Sequence, residues 1–209
     1  MLSIVSTRFN HETWKENTEY REKNKLSGCS YGAPYTMSPK IPLTALVFVV
    51  EMNNSINKIE GIGLVRNKSS HDKTYKIHYD RNYNRYIYQG KYRVSREDIE
   101  RINPRLTSVI DNVCFKGYTH LKRGIGFTSV SEKILKEKCS GLDLKNEIKQ
   151  VFIQMFGTSS KFIISNLKDE ERVISEERVI SEERVISEER VISDRNVIYK
   201  SNIIIVDEF

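Results

Sequence analysis

Three patterns in this sequence predict an α+β domain in which a small β-barrel or curled sheet is flanked by helices. The first is Ala45 to Val65, where apolar runs on either side of a polar Asn-Asn-Ser turn read as a central β-hairpin. The second is Thr74 to Val94, where aromatic or aliphatic residues alternate with basic ones at the strand period of two. The third is a helical stripe, Leu144, Ile148, Val151, Phe152, Met155 and Phe156, which stops at Gly157.

The elements follow in order. Leu2–Ser6 reads as a first strand, and Asn10 caps a polar helix over His11–Arg21 that carries the single tryptophan, Trp14. Lys25 to Pro42 holds Gly28, Gly32, Pro34, Pro39 and Pro42, a composition that predicts a structured loop. After the hairpin, Thr74–Tyr79, Arg85–Tyr88 and Lys91–Val94 each read as half-buried strands. Arg96–Ile102 fits a turn or two of helix, and Leu106, Val109, Ile110 and Val113 place a stripe on a helix after Pro104. Ser129-Val-Ser-Glu132 has the capping-box form ahead of a further helix.

Charge divides the chain. The 209 residues carry a formal net charge of +6. Residues 1–169 hold 28 Lys+Arg against 17 Asp+Glu, a surplus of eleven, whereas residues 170–209 hold 6 against 11. A cationic globular part favours polyanionic partners such as nucleic acid, although a solvated basic coat has the same composition. Cys29, Cys114 and Cys139 are odd in number and widely spaced, so neither a disulfide framework nor a zinc knuckle is expected. The N-terminus meets Arg8 too early for a signal peptide, and no apolar run spans a bilayer, so a soluble, non-secreted, intracellular protein is expected.

The domain is expected over residues 1–167, with a spacer over 168–194 and a short strand over 195–209. Within the spacer, Glu170-Glu-Arg-Val-Ile-Ser175 repeats without change through residue 193. A six-residue step spirals the Val-Ile pairs around a helix and splits them between the faces of a strand, so neither form builds a one-sided core. A duplicated spacer outside the core accounts for it, and an oligomerisation device is the alternative.

Catalytic signatures are missing: there is no G-x-S-x-G, no Walker loop and no H-x-E followed by a cysteine pair. His11, His71, His78 and His120 have no metal-ligand spacing, and no cofactor is expected. Gly61-Ile-Gly63 and Gly124-Ile-Gly126 suit a bulge and a turn, while the second, after Lys122-Arg123, also suits a phosphate. The aromatic-basic strip Tyr75 to Arg96 fits either a nucleic-acid face or a sheet edge with amphipathic tyrosines.

Val47-Phe-Val-Val-Glu-Met-Asn-Asn54 and Ile59-Glu-Gly-Ile-Gly-Leu-Val65 resemble the core hairpin of PUA-like domains of the EVE and YTH kind. More closely, over about residues 1–156, Trp14, Gly28-Cys-Ser-Tyr-Gly-Ala-Pro34, Lys40-Ile-Pro42, Asn84-Arg-Tyr86, Gly90-Lys-Tyr-Arg93 and His120-Leu-Lys-Arg-Gly124 resemble an uncharacterised family of large cytoplasmic DNA viruses. The resemblance implies a small barrel with a pocket for a flipped or modified base, in a protein of the host cytoplasm. By position, Ser6, Thr7, Cys29, Tyr31 and Asn53 would line that pocket, with Trp14, Tyr31 or Tyr35 as stacking faces. Lys76, Arg81, Arg85, Arg93, Lys122 and Arg123 are the expected phosphate contacts. The leading expectation is therefore non-catalytic nucleic-acid binding, and the alternative is a viral structural or protein-interaction component with the barrel as scaffold.

Overall fold

In a computed structural model, residues 2–70, 72, 74–139 and 141–157 are described. The expectations for the repeat and for the terminal strand lie outside these residues.

A mixed five-stranded sheet organises the chain. Its strands are β1 (Ser3–Phe9), β3 (Leu46–Asn53), β4 (Lys58–Arg66), β6 (Tyr92–Ser95) and the two-residue β7 (Thr128–Ser129). They lie in the order β6-β4-β3-β1-β7, with β1 and β3 parallel and the other pairs antiparallel. A separate ribbon pairs β2 (Cys29–Ala33) with β5 (Tyr86–Gly90). Among the described residues no barrel closes. The expected barrel is corrected to an open sheet with a ribbon against one face.

Every residue of β3 is buried, which explains the apolar run Leu46–Val50: both faces are covered. On one side Val5, Phe9, Val47, Val49 and Val65 pack with Cys29, Tyr31 and Tyr88 of the ribbon. The ribbon comes close enough to demand glycine. A Cβ on Gly63 would lie 2.1 Å from the Tyr31 hydroxyl, and one on Gly90 would lie 1.9 Å from the Leu64 carbonyl.

Helices cover the other face. α2 (Arg96–Ile102) and α3 (Pro104–Phe115) bury Ile99, Leu106, Ile110 and Val113, and α5 (Leu144–Phe156) packs Phe152 against Phe48 in a tilted pair with ring centroids 5.0 Å apart. α4 (Glu132–Lys138) starts at a Ser131 cap, two residues later than the capping-box pattern suggested, because Thr128 and Ser129 pair with β1 instead. α1 (His11–Lys23) has Asn10 as its cap, and its one fully buried residue is Asn17, which donates to the Ser30 carbonyl at 2.7 Å.

Two segments depart from expectation. The loop between Lys25 and Pro42 contains β2. Thr74–Tyr79 is not a strand, since the amides of Ile77 and His78 donate to Asn84 Oδ1 and the Asn84 amide returns a bond to the His78 carbonyl. A side chain has taken the place of a strand partner. In the hairpin the register slips between Glu51 and Met52: Glu51 faces Gly61, Met52 faces Ile59, and Glu60 is left as an extra residue.

Candidate nucleic-acid site

The hairpin buries a carboxylate inside its apolar run. Glu51 is 0% exposed, and Arg93 meets it with Nε at 2.9 and 3.0 Å and Nη2 at 2.7 Å, while Tyr31 donates its hydroxyl at 2.7 Å. Burial opposes the charge on Arg93, but the Glu51 carboxylate outweighs it and holds the guanidinium above its ordinary pKa. Trp14 lies beside this pair, with the guanidinium carbons of Arg21 and Arg93 5.4 and 5.6 Å from its ring centroid. This cluster is closed. It is an internal strut between the ribbon, the sheet and α1.

A cleft of about 200 Å³ opens at the C-terminal end of β1. Thr7, Arg8, Phe9 and Asn10 supply its floor, where the strand turns into α1. Asn54 comes from the hairpin turn, and Gly32 comes from the ribbon. His78 and Tyr83 form one wall, and Lys122 with Gly124 to Gly126 forms another. Two cationic residues and no carboxylate line it.

Each wall is tied down. Arg8 Nη1 donates to the Leu121 carbonyl at 3.1 Å and Thr128 Oγ1 at 2.9 Å, and Nη2 donates to the Gly126 carbonyl at 2.7 Å. Gly124 and Gly126 take φ of +109° and +67°, which lets the loop fold around that guanidinium. Asn54 donates Nδ2 to the Lys122 carbonyl at 3.2 Å, so its amide orientation is set. On the far side His78 Nδ1 meets Glu16 at 2.8 Å, and the His78 ring lies edge-on to Tyr83 at 6.0 Å. Gly32 makes room for this wall, since a Cβ there would lie 2.1 Å from the Tyr83 carbonyl. Burial lowers the His78 pKa, and Glu16 offsets this only in part.

Of the residues expected in a base pocket, Thr7 lines the cleft. Ser6 faces the opposite side of β1, fully buried, with its hydroxyl unpartnered among the described residues. Asn53 is buried and donates to Glu60 at 2.6 Å; its neighbour Asn54 is the residue that reaches the cleft. Cys29 and Tyr31 are core residues, and burial pushes the Cys29 thiol up to about 12. Tyr31 is therefore corrected from a stacking face to a buried donor on Glu51. Trp14 packs edge-on to Phe9 at 5.2 Å, behind that floor residue and not itself in the lining, and Tyr35 is exposed.

Among the expected phosphate contacts, Lys122 lines the cleft and Arg123 follows it on the surface. Arg81 and Arg85 are exposed on either side of Tyr83, and Lys76 is exposed two residues before His78. Arg93 is corrected: its guanidinium is committed to Glu51 and to the Glu60 carbonyl, 3.1 Å away.

Sequence reasoning missed Arg8, Asn54 and the pairing of His78 with Glu16. An asparagine repeated at a turn was the visible sign of Asn54; nothing in linear spacing joins residues 16 and 78. Among the described residues no three His, Cys, Asp or Glu side chains converge to hold a metal ion, and no helix is long and apolar enough to cross a membrane. Comparison with family models, with curated proteins and with solved structures finds no match to this chain.

Proposed function

We propose that this protein binds nucleic acid without catalysis, admitting one base to the cleft beside β1 and holding the backbone on the cations around its mouth. The observation that carries this reading is the lining: polar side chains and three ring-bearing residues, Phe9, His78 and Tyr83, beside Arg8 and Lys122, with no acidic side chain among them. The volume supports a small planar guest, because pockets for drug-sized ligands run to ~300–1,000 Å³. The surplus of positive charge over residues 1–169 supports a polyanion. The exposed cations Arg81 and Arg85 flank one wall residue, Tyr83, while Arg123 adjoins another, Lys122. Kinship with PUA-like domains and with a family of large cytoplasmic DNA viruses belongs to the same proposal and rests on the sequence motifs.

Fluorescence polarisation of labelled single-stranded RNA and DNA against the full chain tests it. If Lys76, Arg81, Arg85, Lys122 and Arg123 all meet phosphate, the log–log salt slope approaches about −3.5, roughly −0.7 per contact, and affinity falls about a hundredfold between ~50 and ~200 mM salt. Absence of binding, or binding indifferent to salt, overturns the reading.

A further inference from the structure

We infer that the cleft selects a base with at least two N–H hydrogens on its pairing edge, hence guanine, adenine or cytosine over uracil or thymine. This rests on the proposed binding of a base and names which bases it takes.

Two acceptors in the cleft have their direction fixed from behind. Asn54 turns its side-chain NH2 toward the Lys122 carbonyl and spends one of its two hydrogens there, which leaves Oδ1 as the other end, and that oxygen is buried with no partner among the described residues. His78 faces Glu16 through Nδ1, and a carboxylate only accepts, so the ring proton of the neutral imidazole sits on Nδ1 and Nε2 is a bare acceptor. No hydrogen bond reaches Nε2 among the described residues, and His78 is 7% exposed where it lines the cleft. Thr7, 6% exposed and also without a hydroxyl partner among the described residues, can donate or accept and serves either kind of guest.

Three amides at the start of α1 that would suit a phosphate are already used. The amide of His11 donates to Ser55, that of Thr13 to Asn10 Oδ1, and that of Trp14 to the Asn10 carbonyl. Arg8 Nε, a buried donor that also has no partner among the described residues, can take a ring nitrogen or a carbonyl of the guest, while Asn54 Oδ1 and His78 Nε2 together call for two N–H hydrogens. The phosphate is left to the exposed cations of the rim, and the N–H-bearing edge goes inside. Uracil brings a single N–H between two carbonyl oxygens, so it leaves at least one of Asn54 Oδ1 and His78 Nε2 without a donor. Sites built to hydrogen-bond a donor reject a guest lacking it strongly, because the site's own polar groups are left unpaired.

Nucleosides carry no phosphate, so they isolate the cleft from the basic rim. The full chain, labelled with 15N-histidine, is titrated with guanosine, adenosine, cytidine and uridine. Each amino nucleoside is paired with a control short of donors: inosine, N6,N6-dimethyladenosine and N4,N4-dimethylcytidine. At least one amino nucleoside should bind about tenfold or more tightly than uridine and than its own control, and should shift the His78 Nε2 resonance as that nitrogen accepts a hydrogen bond. Equal binding of uridine, equal binding of the donor-poor control, or an unmoved His78 resonance overturns the inference. Silence from every nucleoside also overturns it. If oligonucleotides still bind with a salt slope, the wider nucleic-acid reading survives that failure; if they do not, both fall.

Discussion

Replacing Arg93 with methionine removes the cation from a carboxylate that is 0% exposed and takes away three of the four hydrogen bonds that Glu51 accepts, leaving the Tyr31 hydroxyl. Breaking a buried pair from one side costs about 3–5 kcal/mol, because the remaining charge must be desolvated alone or take up a proton. With a urea dependence of about 2 kcal/mol per molar, the unfolding midpoint should fall by roughly 2 M. Trp14 is the only tryptophan and lies beside Arg93, so its fluorescence reports the transition directly. The double variant Glu51→Leu/Arg93→Met should recover most of the loss, since apolar replacement of a whole buried pair is often neutral or better. A midpoint lowered by less than roughly 0.5 M in Arg93→Met, or a double variant no more stable than the single one, would refute a buried pair of this strength.

Other outcomes follow from the same geometry. Lys122→Glu/Arg123→Glu should reduce oligonucleotide affinity and flatten the salt slope by about 1.4, roughly −0.7 for each lost contact, while the urea midpoint stays put; an unchanged slope removes these residues from the interface. Gly63→Ala, with its new Cβ 2.1 Å from the Tyr31 hydroxyl, should cost about 1–3 kcal/mol by overpacking, readable in the same urea titration. All three cysteines are buried, and burial raises each thiol, Cys29 to about 12, so a disulfide reagent at pH 8 should label the native chain slowly and all three sites on denaturation. Burial holds His78 below its ordinary value of about 6.5, so the unfolded chain takes the proton first. The stability gained from neutral His78 is whole above that ordinary value and is lost as pH falls through the folded one. Urea midpoints between pH 7.5 and 5 should therefore drop more in the parent than in His78→Asn.

The parts of the fold legible in the sequence were those with local causes. The Asn10 cap, the hairpin from Leu46 to Arg66 and the stripe on α5 each follow from neighbouring residues alone. The strand β2 was hidden because its glycines answer to distant atoms: Gly32 yields to the Tyr83 carbonyl, and the preceding Gly28 yields to that of Gly90. Thr74–Tyr79 imitated a strand, yet its backbone is held by the side chain of Asn84. Arg93 had the look of an outward cation, and the contrary sign was Glu51, a lone carboxylate inside Val47–Met52. In the cleft, Thr7 and Lys122 were legible from position, whereas the Glu16–His78 contact joins parts of the chain that only tertiary structure brings together.

The single-residue slip between Glu51 and Met52 bears on where this molecule can be cut and tagged. Beyond it, the tip of the hairpin runs out of phase with the rest of the sheet, and from that tip the Asn54 amide donates to the Phe9 carbonyl at 2.8 Å. Removing Glu60 would even the ladder, strip Asn53 and Arg93 of an acceptor each, and rotate the tip away from β1. A hairpin end is ordinarily a forgiving place for a peptide insertion; here it is a poor one. The stretch around Gly117 and Tyr118 suits a label far better, with Tyr118 wholly in solvent and open space around Gly117.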